Sequence, residues 1–197
     1  MKLSGDLRRD RDKVAVMREW SDPVRVRADA NNLWDAADAA VAFLRDLAYP
    51  FFAIEEPIRP NQYAGLARVA DALGCPIILD ESLLRAAQIG RLVGPPATWL
   101  INVRVSKMGG LLRSLGVVHA ARAAGIGVIV GAQVGETSLL TRAALTVAQA
   151  AGPMLVAQEG AFGTFLLERD ICDPPLMFGA GGILDAATMK TGTGINV

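Results

Sequence analysis

Asp29, Glu55 and Asp80 each end an apolar run: Val24-Arg25-Val26-Arg27-Ala28-Asp29, Phe51-Phe52-Ala53-Ile54-Glu55 and Pro76-Ile77-Ile78-Leu79-Asp80. The three acids lie 26 and then 25 residues apart. One strand, one helix and two turns consume about that many residues. The spacing therefore puts the three carboxylates at the C-terminal tips of successive parallel strands. In a barrel of such units, that rim carries the chemistry. Three carboxylates brought together repel one another unless a cation lies between them. Oxygen donors with no His or Cys nearby select a hard ion, Mg²⁺ first and Mn²⁺ in its place.

The elements that must position these residues alternate throughout. Apolar periodicity predicts a helix over 10–20, with Val14, Val16, Met17 and Trp20 inward. Pro23 breaks it, and a strand follows over 24–28. Further helices are predicted over 33–47 and 63–73, the second capped by Asn61 and stopped by Gly74. Strands are predicted over 51–54 and 76–79, with Ser82 capping a helix after the latter. A strand over 99–105 leads into the turn Lys107-Met108-Gly109-Gly110 and a helix over 111–124. The alternation closes with a strand over 126–130, a helix over 137–150 and a strand over 154–157. The tail, with Asp173-Pro174-Pro175 and Gly179-Ala180-Gly181-Gly182, reads as irregular. That makes six strands, with residues 1–3 as the stump of a seventh. A closed barrel of this kind has eight, so the front is expected to be incomplete. Its unpaired edges favour a homo-oligomer.

The 197 residues are 52% hydrophobic and 20% charged, which suits one α/β domain whose strands are covered on both faces. Lys plus Arg equals Asp plus Glu at 20 each, so no global field draws nucleic acid or acidic membrane. No apolar run approaches a bilayer span, and the first residues lack the apolar core of a signal peptide. Cys75 and Cys172 have no metal-type spacing and read as ordinary thiols of a reducing cytoplasm.

Asp29-Ala30-Asn31, Ile54-Glu55-Glu56-Pro57, Asp80-Glu81-Ser82, Lys107-Met108-Gly109-Gly110 and Gly135-Glu136-Thr137-Ser138 occur in this order at βα-unit spacing. Together they resemble the catalytic barrel of the enolase superfamily, in its mandelate racemase and muconate-lactonizing branch. The resemblance implies a TIM-type (β/α)₇β barrel over 1–197, truncated at the N-terminus, without the capping domain and first strand. It implies that Asp29, Glu55 and Asp80 hold one Mg²⁺, with Asn31, Glu56 and Glu81 orienting them. It implies Mg²⁺-dependent removal of the proton α to the carboxylate of a small organic acid, the metal stabilising the enediolate.

Lys2 matches the second lysine of that family's Lys-x-Lys base pair, though a solvated terminal lysine is an equal reading. On the opposite side the family has a lysine where this chain has Arg104. A guanidinium stays protonated and is no general base, but it grips a carboxylate or stabilises negative charge. Lys107 is a second candidate lysine if the turn folds it inward. Glu136 reads as a substrate-binding residue, a partner for a lysine, or a helix cap. Glu159, in Gln158-Glu159-Gly160, lies where family members read the distal end of the substrate. One base plus a fixed cation suits a muconate cycloisomerase-like lyase or isomerase. The alternatives are a racemase or epimerase of the same superfamily, or a non-catalytic truncated barrel.

Other features read as structural. His119 sits within a predicted helix, as a surface or core histidine. Gly109-Gly110 lacks the rest of a phosphate loop. Trp20, Trp34 and Trp99 read as packing residues, and Arg8-Arg9-Asp10-Arg11 as a solvated helix start.

Overall fold

The computed structural model describes residues 1–20, 24–160 and 163–184, so Pro23 lies outside the described residues. Two units divide the chain, Met1–Ile101 and Asn102–Val197.

The first unit contains α1 (Leu7–Arg18), β1 (Arg27–Asp29), α2 (Ala37–Leu47), β2 (Ala53–Glu55), α3 (Tyr63–Leu73), β3 (Ile77–Leu79) and the start of β4 (Trp99–Arg104). Each strand pairs in parallel with the next: Ala28 with Ile54, Glu55 with Ile78, Ile78 with Leu100. The pairing residues Ala28, Ile54, Ile77, Ile78 and Leu79 are all buried, as expected of strands covered on both faces. The stump at residues 1–3 joins this ladder. Asp29 donates its N–H to the Met1 carbonyl at 2.8 Å, and Leu3 donates to the Asp29 carbonyl at 2.8 Å.

Three local expectations are corrected here. α1 starts at Leu7, capped by Asp6, whose side chain accepts from the Arg9 N–H. Val14 is buried on its inner side, but Val16 and Trp20 are exposed, so Trp20 is not a core residue. The inner stripe is instead Asp10 and Val14, one helical turn apart. Asp10 is fully buried and accepts from the Ser4 N–H, the Ser4 hydroxyl, the Gly5 N–H and the Lys13 ammonium. Burial raises its pKa, but Lys13 and the Ser4 donors outweigh that and hold the carboxyl below the usual range.

Asn61 does not cap α3. Its Oδ1 serves Tyr63 and Gln88 instead, and no side chain caps that helix. No α-helix follows Ser82. Short 3₁₀ segments at Ala86–Arg91 and Pro96–Thr98 fill that interval. Gly90, Gly94, Pro95 and Pro96 interrupt a longer helix, and the Ser82 hydroxyl is already engaged elsewhere. Gly74 ends α3 as expected, in the left-handed region at φ 67°, donating to the Ala70 carbonyl.

The second unit contains the end of β4, then α4 (Val105–Met108), α5 (Leu111–Ala123), β5 (Gly127–Gly131), α6 (Ser138–Ala151), β6 (Leu155–Gln158) and α7 (Gly163–Leu166). Lys107 thus lies on a helical turn, and the tight reversal is confined to Gly109 and Gly110 at φ 84° and 104°. β5 and β6 run parallel, Val130 facing Gln158. Val117, Val118 and Ala121 of α5, Val128, Ile129 and Val130 of β5 and Ala144, Val147 and Ala151 of α6 are buried. The described tail is largely irregular, as expected. No described helix is long and apolar enough to cross a membrane.

Candidate active site

The strand register puts the three acids at the C-terminal ends of three neighbouring strands. Asp29 and Glu55 are directly opposed across the β1–β2 pair. Glu55 faces Ile78, and Asp80 is two residues beyond Ile78. Side chains alternate along a strand with a period of two, so Asp29 and Glu55 share a face, and Asp80 follows directly on the end of β3. Glu55 and Asp80 are buried, and the Asp29 side chain is 28% exposed.

Cations and backbone donors hold these oxygens. Asp29 accepts from the Lys2 ammonium at 2.8 Å and from the Asn31 N–H at 3.0 Å. The Arg27 Nε lies 3.9 Å from a Glu55 oxygen. Lys2 thus pairs with Asp29 and bridges to the end of β1, with its side chain 58% exposed. As the side chains stand, no three His, Cys, Asp or Glu groups among the described residues are disposed to hold an ion. The convergence lies in the backbone register. The donor set itself fits a hard divalent ion: three carboxylates from neighbouring strand ends, with no soft ligand among them.

Glu56 links the ends of β2 and β3. Its carboxylate is fully buried and accepts from the Asp80 N–H at 2.8 Å, the Ser82 N–H at 2.7 Å and the Ser82 hydroxyl at 2.8 Å. Burial raises its pKa to about 7 against the pull of those donors. Its backbone is at φ 38°, in the left-handed region that a glutamate adopts only when its surroundings demand it. Asn31 meets Asp29 only through its backbone N–H among the described hydrogen bonds, and the residue is exposed. Glu81 is half-buried beside this cluster, and its charge adds to the rise at Glu56.

In the second unit, Asn102 and Arg104 alternate along β4 and so share a face. That face lies against Gly131, where an added Cβ would meet Asn102 Oδ1 at 2.1 Å and Arg104 Cγ at 2.9 Å. The Ser106 hydroxyl donates to Glu136 at 2.9 Å, and Glu136 is nearly buried. Glu136 is not the cap of α6. Asp170 takes that position, accepting from the Ser138 N–H at 3.0 Å and hydroxyl at 2.8 Å. Glu159 accepts from the Ala132 N–H at 3.1 Å and donates its own N–H to Val130 at 2.8 Å, which ties it to the end of β5. Lys107 is half-buried on α4. His119 is exposed on α5. Cys75 and Cys172 are free, and burial pushes both thiols up.

Sequence reasoning missed Ser82 as a ligand of Glu56, and also Ser106, Asp170 and Arg27. Arg27 had a signal, being two residues before Asp29 on a strand and therefore on its face.

A family model described as enolase C-terminal domain-like matches residues 1–197. The chain belongs to that family. Its relatives include members of the mandelate racemase and muconate-lactonizing branch. The D-Ala-D/L-Ala epimerase of Cytophaga hutchinsonii is 29% identical over 193 residues, 93% of this chain and 48% of that protein. Muconate cycloisomerase 1-2 of Acinetobacter lwoffii is 30% identical over 84% of this chain and 42% of that one. Among solved structures, the dipeptide epimerase of C. hutchinsonii, complexed with Mg and D-Ala-L-Val, superposes with a TM-score of 0.79 at 26% identity. That match covers 93% of this chain and 50% of the other. This enolase-like chain thus spans about half the length, or less, of the curated relatives it matches.

Proposed function

We propose that this chain is the barrel portion of an enzyme that removes the proton α to the carboxylate of a small organic acid. The carrying observation is the parallel register that sets Asp29, Glu55 and Asp80 at three neighbouring strand ends. Those three residues would hold Mg²⁺, with Mn²⁺ able to replace it, and Glu56 and Asn31 orient them. The ion, when bound, supplies a fixed double charge that anchors a substrate carboxylate and favours negative charge developing beside it. A TIM-type (β/α)₇β barrel over 1–197, truncated at its N-terminus, is part of the same proposal.

The chain's own residues divide the remaining work. Lys2, as the neutral amine, takes the α-proton and becomes an ammonium, the C–H electron pair staying on the substrate beside its carboxylate. Arg104 stays charged and grips a carboxylate or stabilises negative charge, without moving a proton. Glu136 and Glu159 contact the substrate, their side chains set by Ser106 and the Ala132 N–H. One base and one fixed cation suit a reaction on a single face, as in a muconate cycloisomerase-like lyase or isomerase.

The epimerases among the relatives favour a second reading, in which Lys107 is the second acid–base group. One experiment separates the two. Muconate, N-succinyl amino acids and dipeptides are incubated with Mg²⁺ in D₂O and followed by NMR and optical rotation. Exchange or lactone formation with retained configuration supports the single-face reaction, and loss of optical activity supports the epimerase. Mg²⁺ binding with no exchange in any acid overturns both in favour of a non-catalytic barrel. Arg104→Lys should introduce racemisation that the native chain lacks, since it restores a titratable amine.

A further inference from the structure

Between β2 and α3, and again after β3, the chain of the first unit makes two turns that lock into each other. Two non-glycine residues in the first turn, Glu56 and Asn61, have positive φ, 38° and 66°. Such conformations cost on the order of 1 kcal/mol or more each and persist only where neighbours over-determine them. The neighbour here is Ser82, which is fully buried.

Every polar group of Ser82 is engaged. Its N–H and hydroxyl donate to the two oxygens of Glu56, at 2.7 and 2.8 Å. Its hydroxyl oxygen accepts from the Asn61 N–H at 3.0 Å. Its carbonyl accepts from the Tyr63 hydroxyl at 2.7 Å and from the Gln88 amide at 3.0 Å. Gln88 in turn accepts from the Leu84 and Arg85 N–H groups, both at 2.9 Å, which closes the second turn. Glu56 also accepts from the Asp80 N–H. The result is one connected network from α3 and the 3₁₀ segment Ala86–Arg91 to the backbone of Asp80, with Glu56 adjacent in sequence to Glu55.

We propose that Ser82, braced by Tyr63 and Gln88, is a positioning residue that sets the separation of Glu55 and Asp80 for a divalent cation. It touches neither substrate nor metal. It acts through Glu56, whose two oxygens bridge the ends of β2 and β3. A hydroxyl is required because the same atom must donate to Glu56 and accept from Asn61. Tyr63 contributes through its hydroxyl, the ring being packed in the core of α3. This inference rests on the metal reading of the first unit, and the test distinguishes the failure of each.

Mg²⁺ is titrated calorimetrically into the full 197-residue chain and into Ser82→Ala and Tyr63→Phe, with melting of each in EDTA. Outer hydrogen-bond partners of metal ligands are typically worth about 10–100-fold in affinity. Ser82→Ala should weaken Mg²⁺ binding by about tenfold or more, and Tyr63→Phe by a smaller factor in the same direction. Tyr63→Phe preserves the packed ring, so it stays informative if Ser82→Ala does not fold. Mg²⁺ affinities within twofold of native in a folded variant overturn the positioning role while leaving the metal site standing. No Mg²⁺ binding by the native chain overturns the metal reading and this inference with it.

Discussion

The two units bury different polar groups. Among the described residues of the first, the buried polar set is Asp10, Glu55, Glu56, Asp80 and Ser82, four carboxylates in five. In the second it is Asn102, Ser114, Glu136, Ser138 and Thr141, with a single carboxylate. Two of the three buried hydroxyls of the second unit are satisfied within a helical turn: Ser114 donates to the Gly110 carbonyl at 2.9 Å and Thr141 to the Thr137 carbonyl at 3.5 Å, while Ser138 reaches Asp170. The acids of the first gather several donors each, Asp10 from Ser4, Gly5 and Lys13 close by in the chain and Glu56 from Asp80 and Ser82 on the next strand end. A buried carboxylate is tolerated only when several donors converge on it. The first unit is therefore a web in which acids are mutually positioned, and the second is a packed scaffold carrying an Arg104 face.

The largest effect that separates the units is metal-dependent. At about 100 times its dissociation constant, Mg²⁺ should stabilise the native chain by about 2.7 kcal/mol. Asp80→Ala should erase that gain in a denaturant melt, while Arg104→Ala should leave it intact. Equal loss in both would dissolve the division of labour. Next comes Gly131→Ala in the second unit, which puts a methyl group against Asn102 and Arg104. Overpacking of this kind costs about 2 kcal/mol, and urea unfolding measures it with the Mg²⁺ affinity unchanged.

Asp10→Asn should cost about 1 kcal/mol near neutral pH, since one charged acceptor of several bonds is weakened. Its pH signature is sharper. A carboxyl held below its ordinary pKa in the fold stabilises above the unfolded value, and that stability is lost as pH falls through the folded one. Unfolding free energies measured from about pH 6 down to about pH 2 should fall less steeply in Asp10→Asn than in the native chain. The smallest effect is expected at Arg68→Ala. It breaks the 2.6 Å ion pair with Asp38, but both side chains are largely exposed. A change above about 0.5 kcal/mol there would mean that surface pairs join the web after all.

Much of the fold was legible in the chain. The apolar runs ending in Asp29, Glu55 and Asp80 are strand ends, Gly74 is a helix stop, and the six strands are where alternation puts them. Those signals are local: a run of β-branched and aliphatic residues, or a glycine that alone enters the left-handed region without strain. Periodicity misled where a polar group took the inner position. Asp10 displaced Val16 and Trp20 from the inner face of α1, because four donors from Ser4, Gly5 and Lys13 wait for it. The helix expected after Ser82 failed for a similar reason, its supposed cap being committed to Glu56.

By itself the sequence determined the family, the parallel α/β order and the three acids at strand ends, because residue type and a period of two or 3.6 suffice for those. Only the tertiary structure decided which oxygen meets which donor. Lys2 on Asp29, Ser82 under Glu56 and Asp170 on Ser138 join residues between 26 and 32 positions apart. No local pattern encodes such a pairing. It arises when packed elements leave a buried charge only a few donors within reach.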